Sequence, residues 1–247
     1  MNTKIVCTVL ATGFILGAAQ AQAGCKDVSY AQLQAAANNA LAANTTGGLK
    51  LNMWATFVDE TGKVCAVVNT GAKGALAGNS EWLGSRVISA QKANTANAFS
   101  LDGLSISSGA LYAAVQPGGS LYGLQESNPV NAEAAYQGNP NNYGKTNDPL
   151  VQNRIGGVNV FGGGIALYKN GVKIGGLGVS GDTSCTDHAF VWKMRQSLGL
   201  EPLSSVAQVE KLTIDNAGVY NALGKHPQCI GAVITDTAGY AAYAAPI

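Results

Sequence analysis

The fold turns on one stretch: Ile165-Ala166-Leu167-Tyr168-Lys169-Asn170-Gly171-Val172-Lys173-Ile174-Gly175-Gly176-Leu177-Gly178-Val179-Ser180-Gly181. Two β-prone runs, Ile165 to Tyr168 and Val172 to Val179, flank Asn170-Gly171, a pair that readily takes the left-handed backbone of a two-residue turn. The spacing predicts an antiparallel hairpin. The same stretch contains a decoy, because Gly176, Gly178 and Gly181 have the spacing of a dinucleotide fingerprint and Glu201 follows at about the distance of a ribose-binding acid. That motif needs a parallel strand-helix-strand unit, whereas the Asn170-Gly171 turn makes its strand half of an antiparallel pair. A nicotinamide cofactor is therefore not expected. Backbone amides of Gly181 to Ser184, at the start of the next helix, could still hold a carboxylate or phosphate.

Working outward, Ser184 can cap a helix in which Asp187, Val191, Met194 and Leu198 share a face, with Gly199 and Pro202 ending it. Upstream, Ser29 and Gln32 form a capping box and Val28 can staple onto Leu33, so a helix should begin near Tyr30 and stop before Gly47-Gly48. Met53 to Val58 and Val64 to Val68 flank Asp59-Glu60-Thr61-Gly62, a second hairpin. From Ser80 to Phe99 the pattern is helical, and Ile88, Lys92, Thr95 and Phe99 place Lys92 on a partly apolar stripe. The ordinary fate of such a lysine is to lay its stem on that stripe and reach water with its ammonium. Helix, hairpin, helix, hairpin, helix implies an α+β domain, with an antiparallel sheet flanked by helices.

Two regions fall outside this pattern. Residues 116–150 are rich in Gly, Asn and Pro, with Tyr122, Tyr136 and Tyr143 interspersed, and read as a loop insertion. It could be a binding lid or a surface insertion held down by its tyrosines. Residues 201–247 read as a C-terminal extension carrying two weak strand candidates, Val209 to Ile214 and Ile230 to Thr235. At the other end, Lys4, the apolar run from Ile5 to Ala19 and Ala21-Gln22-Ala23 have the form of a signal peptide cleaved after Ala23. The run is too short for a membrane span, so the mature form should have none. A periplasmic or secreted location is expected. Lipidation at Cys25 is the minor alternative, since Gln22 stands where such processing sites usually have leucine.

Composition excludes several classes. The chain has 247 residues, 47% hydrophobic and 12% charged, which suits a packed core rather than a disordered chain. Lys+Arg number 15 against Asp+Glu 14, so there is no basic excess to neutralise a run of phosphates and nucleic acid is not an expected partner. Removing residues 1–23 takes away Lys4 and Cys7 and leaves Cys25, Cys65, Cys185 and Cys229. In an exported protein these imply two disulfides, for which three connectivities exist. Cys25 with Cys65 and Cys185 with Cys229 is the favoured pattern, because it ties each end of the chain to the body. Metal ligation by cysteine is the weaker reading, since no Cys-x-x-Cys pair exists.

The chain has two histidines, His188 and His226, and neither belongs to a hydrolytic triad or a zinc-binding spacing. His188 follows Asp187 in the first turn of the last helix, where a buried hydrogen-bonded imidazole is the commoner outcome and metal or haem-iron ligation the sharper one. His226 precedes Pro227 and Cys229 and reads as packing around a disulfide.

Ile88-Ser89-Ala90-Gln91-Lys92-Ala93-Asn94-Thr95-Ala96-Asn97-Ala98-Phe99, then Gly156-Gly157-Val158, then Gly175 to Asp182 followed by Asp187, resembles the family of GlcG-like proteins and the C-terminal domain of PduO-type corrinoid adenosyltransferases. The resemblance spans roughly Val28 to Leu200. It implies a profilin-like layered α+β domain over residues 24–200 that forms homo-oligomers and in some members binds haem, iron or corrinoid-related ligands. Asn159 stands where members often have proline, His188 replaces an acidic residue, and the first helix has no histidine. A haem site needs an apolar slot, cations for two propionates and optionally an iron ligand. The expected site residues are therefore Arg86, Lys92 and Arg154 for the propionates, with His188 as the metal ligand. Lys92, Gly157 and Gly181 are expected to line the pocket beside Asp187. The function this implies is non-covalent binding of haem or a similar tetrapyrrole, as a carrier or sensor accessory. A small-molecule- or haem-transforming enzyme and a ligand-free assembly module are the alternatives.

Overall fold

The computed structural model describes residues 24–43, 48–71, 82, 84–215 and 222–229. The expected leader, the Ser80 start of the second helix and the strand candidate from Ile230 lie outside these residues. Five helices and eight strands follow in chain order: α1 (Tyr30–Ala42), β1 (Trp54–Asp59), β2 (Val64–Asn69), α2 (Ser85–Phe99), β3 (Leu104–Ile106), α3 (Leu124–Ser127), α4 (Ala132–Tyr136), β4 (Gly164–Lys169), β5 (Val172–Ser180), α5 (Ser184–Leu198), β6 (Ala207–Val209), β7 (Thr213–Ile214) and β8 (Lys225–His226). Both expected hairpins form, and they join into one antiparallel sheet in the order β2-β1-β5-β4. The Ser29 and Gln32 capping box starts α1. For α5 the cap is Thr183 rather than Ser184, because the Thr183 hydroxyl accepts from the Thr186 amide, while Gly199 ends the helix in the left-handed region.

Period-2 alternation sorts the sheet into two faces. Phe57, Leu177 and Ile165 stand side by side across β1, β5 and β4. With Leu33, Phe190 and Met194 they form the core beneath α1 and α5. On the opposite face Thr56, Gly178 and Gly164 are aligned in the same way, and α2 lies directly on them. A Cβ at Gly178 would run into the Ser89 carbonyl and the Ala93 amide, at Gly176 into the Ala93 carbonyl, and at Gly164 into the Lys92 carbonyl. Gly176 and Gly178 of the dinucleotide decoy therefore serve close helix-on-sheet packing, and the Gly-Leu-Gly-Val order is strand alternation between a crowded face and an apolar one. Gly178→Ala should lower stability by about 1–3 kcal/mol in urea unfolding, because helix backbone cannot rotate out of the way. Gly103→Ala, where an added Cβ meets nothing within 4 Å, is the control and should change stability by less than about 0.5 kcal/mol.

The insertion packs as an ordered layer over α2. Its Ala135 and Leu150, with Ile155 just beyond it, join Val58, Val64, Val87 and Ala90 in a second core. The extension beyond Leu200 also packs on the domain, through β6 pairing in parallel with β3 and the Gly224 amide on the Ala110 carbonyl, while β7 and β8 pair with each other within the extension.

Candidate functional site

The buried polar centre lies where α2, β5 and α5 meet. Lys92 is 2% exposed, and its Nζ donates to Asp187 Oδ2 at 2.8 Å and to the Val179 carbonyl at 3.2 Å. The expectation that the ammonium reaches water is overturned. Gly178 and Gly164 bring α2 so close to the sheet that the side chain has no route outward, and a buried ammonium must find a carboxylate inside. Asp187 Oδ1 accepts from the Asp182 amide at 3.0 Å. Burial raises the Asp187 carboxyl to about 6 even though Lys92 pulls the other way.

Next along α5, His188 is fully buried, and its Nδ1 accepts from the Gly163 amide at 3.3 Å. Burial, with further repulsion from His226, Arg195 and Lys92, lowers this imidazole to about 3, while the Glu210 backbone carbonyl opposes the shift. His188 is therefore a neutral imidazole at physiological pH. Two turns further, Arg195 donates to Glu210 through Nη1 at 2.6 Å and Nη2 at 2.7 Å, with both side chains closed to solvent. Ser105 donates to the same carboxylate, and Ser107 donates to the Glu210 backbone carbonyl at 2.8 Å. The amides at the start of α5 do hold carboxylates, but the chain's own. Thr183 N donates to Asp182 Oδ1 at 2.6 Å, and Leu49 N at 2.9 Å and Leu51 N at 3.1 Å donate to the same side chain.

Lys92, Asp187 and His188 are brought together; the two arginines are not part of that group. Arg86 is buried on α2, where it donates to both oxygens of Asp148 and to the Ala135 carbonyl, and its guanidinium lies 3.6 Å from the centroid of the Tyr143 ring. Its positive charge is used to clamp the insertion. Arg154 is exposed and donates to the Thr61 carbonyl at 2.9 Å and to the Thr61 hydroxyl. Gly157 accepts from Asn94 Nδ2 at 2.8 Å and is crowded by Gln91 and Val130, while Gly181 packs against Asn52 and Met53. In this arrangement Arg86 and Lys92 are committed to internal carboxylates and His188 offers no open face to a macrocycle. These three do not fit a haem as they stand.

Disulfides join Cys25 to Cys65 and Cys185 to Cys229. His226 lies beside the second, with Nε2 3.3 Å from the Ser184 hydroxyl and its ring 5.3 Å from that of Tyr112. Because both sulfurs are bonded, this cluster offers no thiolate to a metal. Two disulfides fit an oxidising compartment. Two carboxylates central to this chemistry, Asp148 and Glu210, have no motif in the sequence, and the role of a third, Asp182, was not assigned there. Asp148 and Glu210 sit in irregular segments 62 and 15 residues from the arginines they meet, beyond the reach of any helical or strand periodicity.

The family model described as haem degrading protein HbpS-like matches residues 28–195. No curated protein matches the chain. Among solved structures, a PduOC:heme complex aligns at 23% identity with a TM-score of 0.44, covering 69% of this chain and 92% of that one. Klebsiella pneumoniae protein ORFY aligns at 22% identity and 0.44, covering 70% and 92%. A double mutant of Streptomyces reticuli HbpS aligns at 13% identity and 0.42, covering 79% and 99%.

Proposed function

The chain belongs to the HbpS-like family of haem degrading proteins, and from that membership we propose that it binds haem non-covalently. The carrying observation is the span of the match, residues 28–195, which takes in the sheet, α1, α2 and nearly all of α5. A role as an exported carrier or sensor accessory, in the periplasm or secreted, draws its support from the two disulfides and from the leader-like residues 1–23. Homo-oligomer formation belongs to the same reading. Among the described residues no helix is long and apolar enough to cross a membrane.

A haem supplies iron chemistry when bound, and His188, with Nδ1 already accepting from the Gly163 amide, is not assigned to its iron. Haemin titrated into the purified protein, both oxidised and after treatment with a dithiol, should give a saturable shift of the main haem band at one haem per chain in at least one form. Absence of a saturable shift in both overturns the proposal. The family description also favours a second reading, turnover of the bound haem. It predicts that the haem band of the complex decays with a reductant or peroxide faster than that of free haemin.

A further inference from the structure

Part of the cover over His188 and Arg195 comes from the segment after Leu200, which lies beyond the family match. Val206 packs against Ala166 and Tyr168. Leu212 lies over Gly109 and Gly162, next to His188 Cβ. Between these two residues, Glu210 seats its carboxylate on Arg195 and Ser105. All the donors come from residues 105–195 and the acceptor from the extension.

We propose that Arg195 and Ser105 form a carboxylate-binding pocket beside His188, and that Glu210 occupies it as a tethered substitute for a carboxylate-bearing ligand. Two parallel N–H bonds from a guanidinium, reinforced by a hydroxyl, match a carboxylate in shape as well as charge. Stability alone gives little reason for such a pair, since buried ion pairs often do no better than apolar side chains of the same size. Arg195 also keeps its Nε without a hydrogen-bond partner while stacking 4.9 Å from the Trp192 ring. His188 and Arg195 are seven residues apart on α5, so they share a face at a separation of about 10 Å along the axis. On the haem reading above, on which this part rests, a haem propionate would take the place of the Glu210 carboxylate on Arg195 and Ser105.

The Cys185–Cys229 disulfide is the latch. It ties the end of the described extension to the first turn of α5, and β8 is held there by the Gly224 amide on the Ala110 carbonyl. A dithiol opens the latch by thiol–disulfide exchange. The reductant gives up two electrons and two protons and closes its own disulfide, while Cys185 and Cys229 become thiols.

Two experiments test the pocket and the latch separately. In Glu210→Ala, sodium propionate should raise the melting temperature saturably relative to sodium chloride at equal ionic strength, because a ligand that binds only the folded state stabilises it. Wild-type protein and Glu210→Ala/Arg195→Met should show no propionate-specific rise. Its absence from folded Glu210→Ala overturns the pocket. Haemin should bind at least tenfold more tightly to dithiol-treated protein and to Cys185→Ser/Cys229→Ser than to the oxidised wild type, and this comparison decides if Glu210→Ala fails to fold. Equal affinities overturn the latch while leaving haem binding standing. A propionate response with no haem binding in any form upholds the pocket and removes haem as its ligand.

Discussion

Replacing Lys92 by methionine is expected to cost about 3–5 kcal/mol of unfolding free energy at pH 7, because Asp187 loses its cation and must either stay buried as a lone carboxylate or take up a proton. Methionine keeps most of the stem's packing, so the loss reports the charge rather than a cavity. Asp187→Asn added to Lys92→Met removes the stranded charge and should recover more than half of the loss. The pH dependence sharpens the test. The Asp187 carboxyl already stands near 6 with Lys92 beside it, and without the ammonium it rises further. At pH 5 the variant's Asp187 is therefore protonated and tolerates burial, which narrows the gap to wild type. Urea unfolding at pH 7 and pH 5 measures both effects. A single-variant loss below about 1 kcal/mol at pH 7 would show that the pair contributes little to holding α2 against α5.

The second large effect is acid sensitivity. His188 is lowered to about 3 and His226 to about 4, in both cases chiefly by burial. A histidine held neutral in the folded state contributes stability that is present above its unfolded value near 6.5. That stability is lost as pH falls toward the folded value, because only the unfolded chain takes up the proton. Asp187 works in the opposite direction. Its carboxyl is raised, so between 6 and 3.8 the folded state binds the extra proton and gains. Near pH 5 the unfolded chain holds two additional imidazole protons and the folded chain one carboxyl proton. The net of about one proton corresponds to roughly 1.4 kcal/mol lost per pH unit. His226→Gln should flatten the profile near pH 5. Urea midpoints measured from pH 7 to pH 4.5 decide the matter, and a wild-type midpoint that stays level over that range contradicts the account.

Local order was legible where neighbouring residues determine it. Asn170-Gly171 demands a tight hairpin turn, Ser29 and Gln32 satisfy each other's groups at a helix start, and alternation along β1 and β5 separates two faces. The decoy glycines could be set aside from sequence because the turn excluded a parallel unit. The use of Gly176 and Gly178 could not be read there, since it depends on α2 lying across a sheet whose strands are far apart in the chain. The candidate site divides in the same way. Lys92, Asp187 and His188 could be singled out by position on their helices. That Lys92 would be buried, and Arg86 spent on Asp148 in the insertion, follows from packing between segments separated by 95 and 62 residues.

The sequence by itself determined the α+β class, both hairpins, the start of α1 and both ends of α5 to within a residue, and the four cysteines able to form disulfides, because these depend on short-range turn chemistry, capping and composition. Only the tertiary structure decided which charges are paired and which groups are covered. A buried charge takes whichever opposite charge the fold brings within about 3 Å, and for Arg195 that is Glu210, carried on an extension with no motif to announce it.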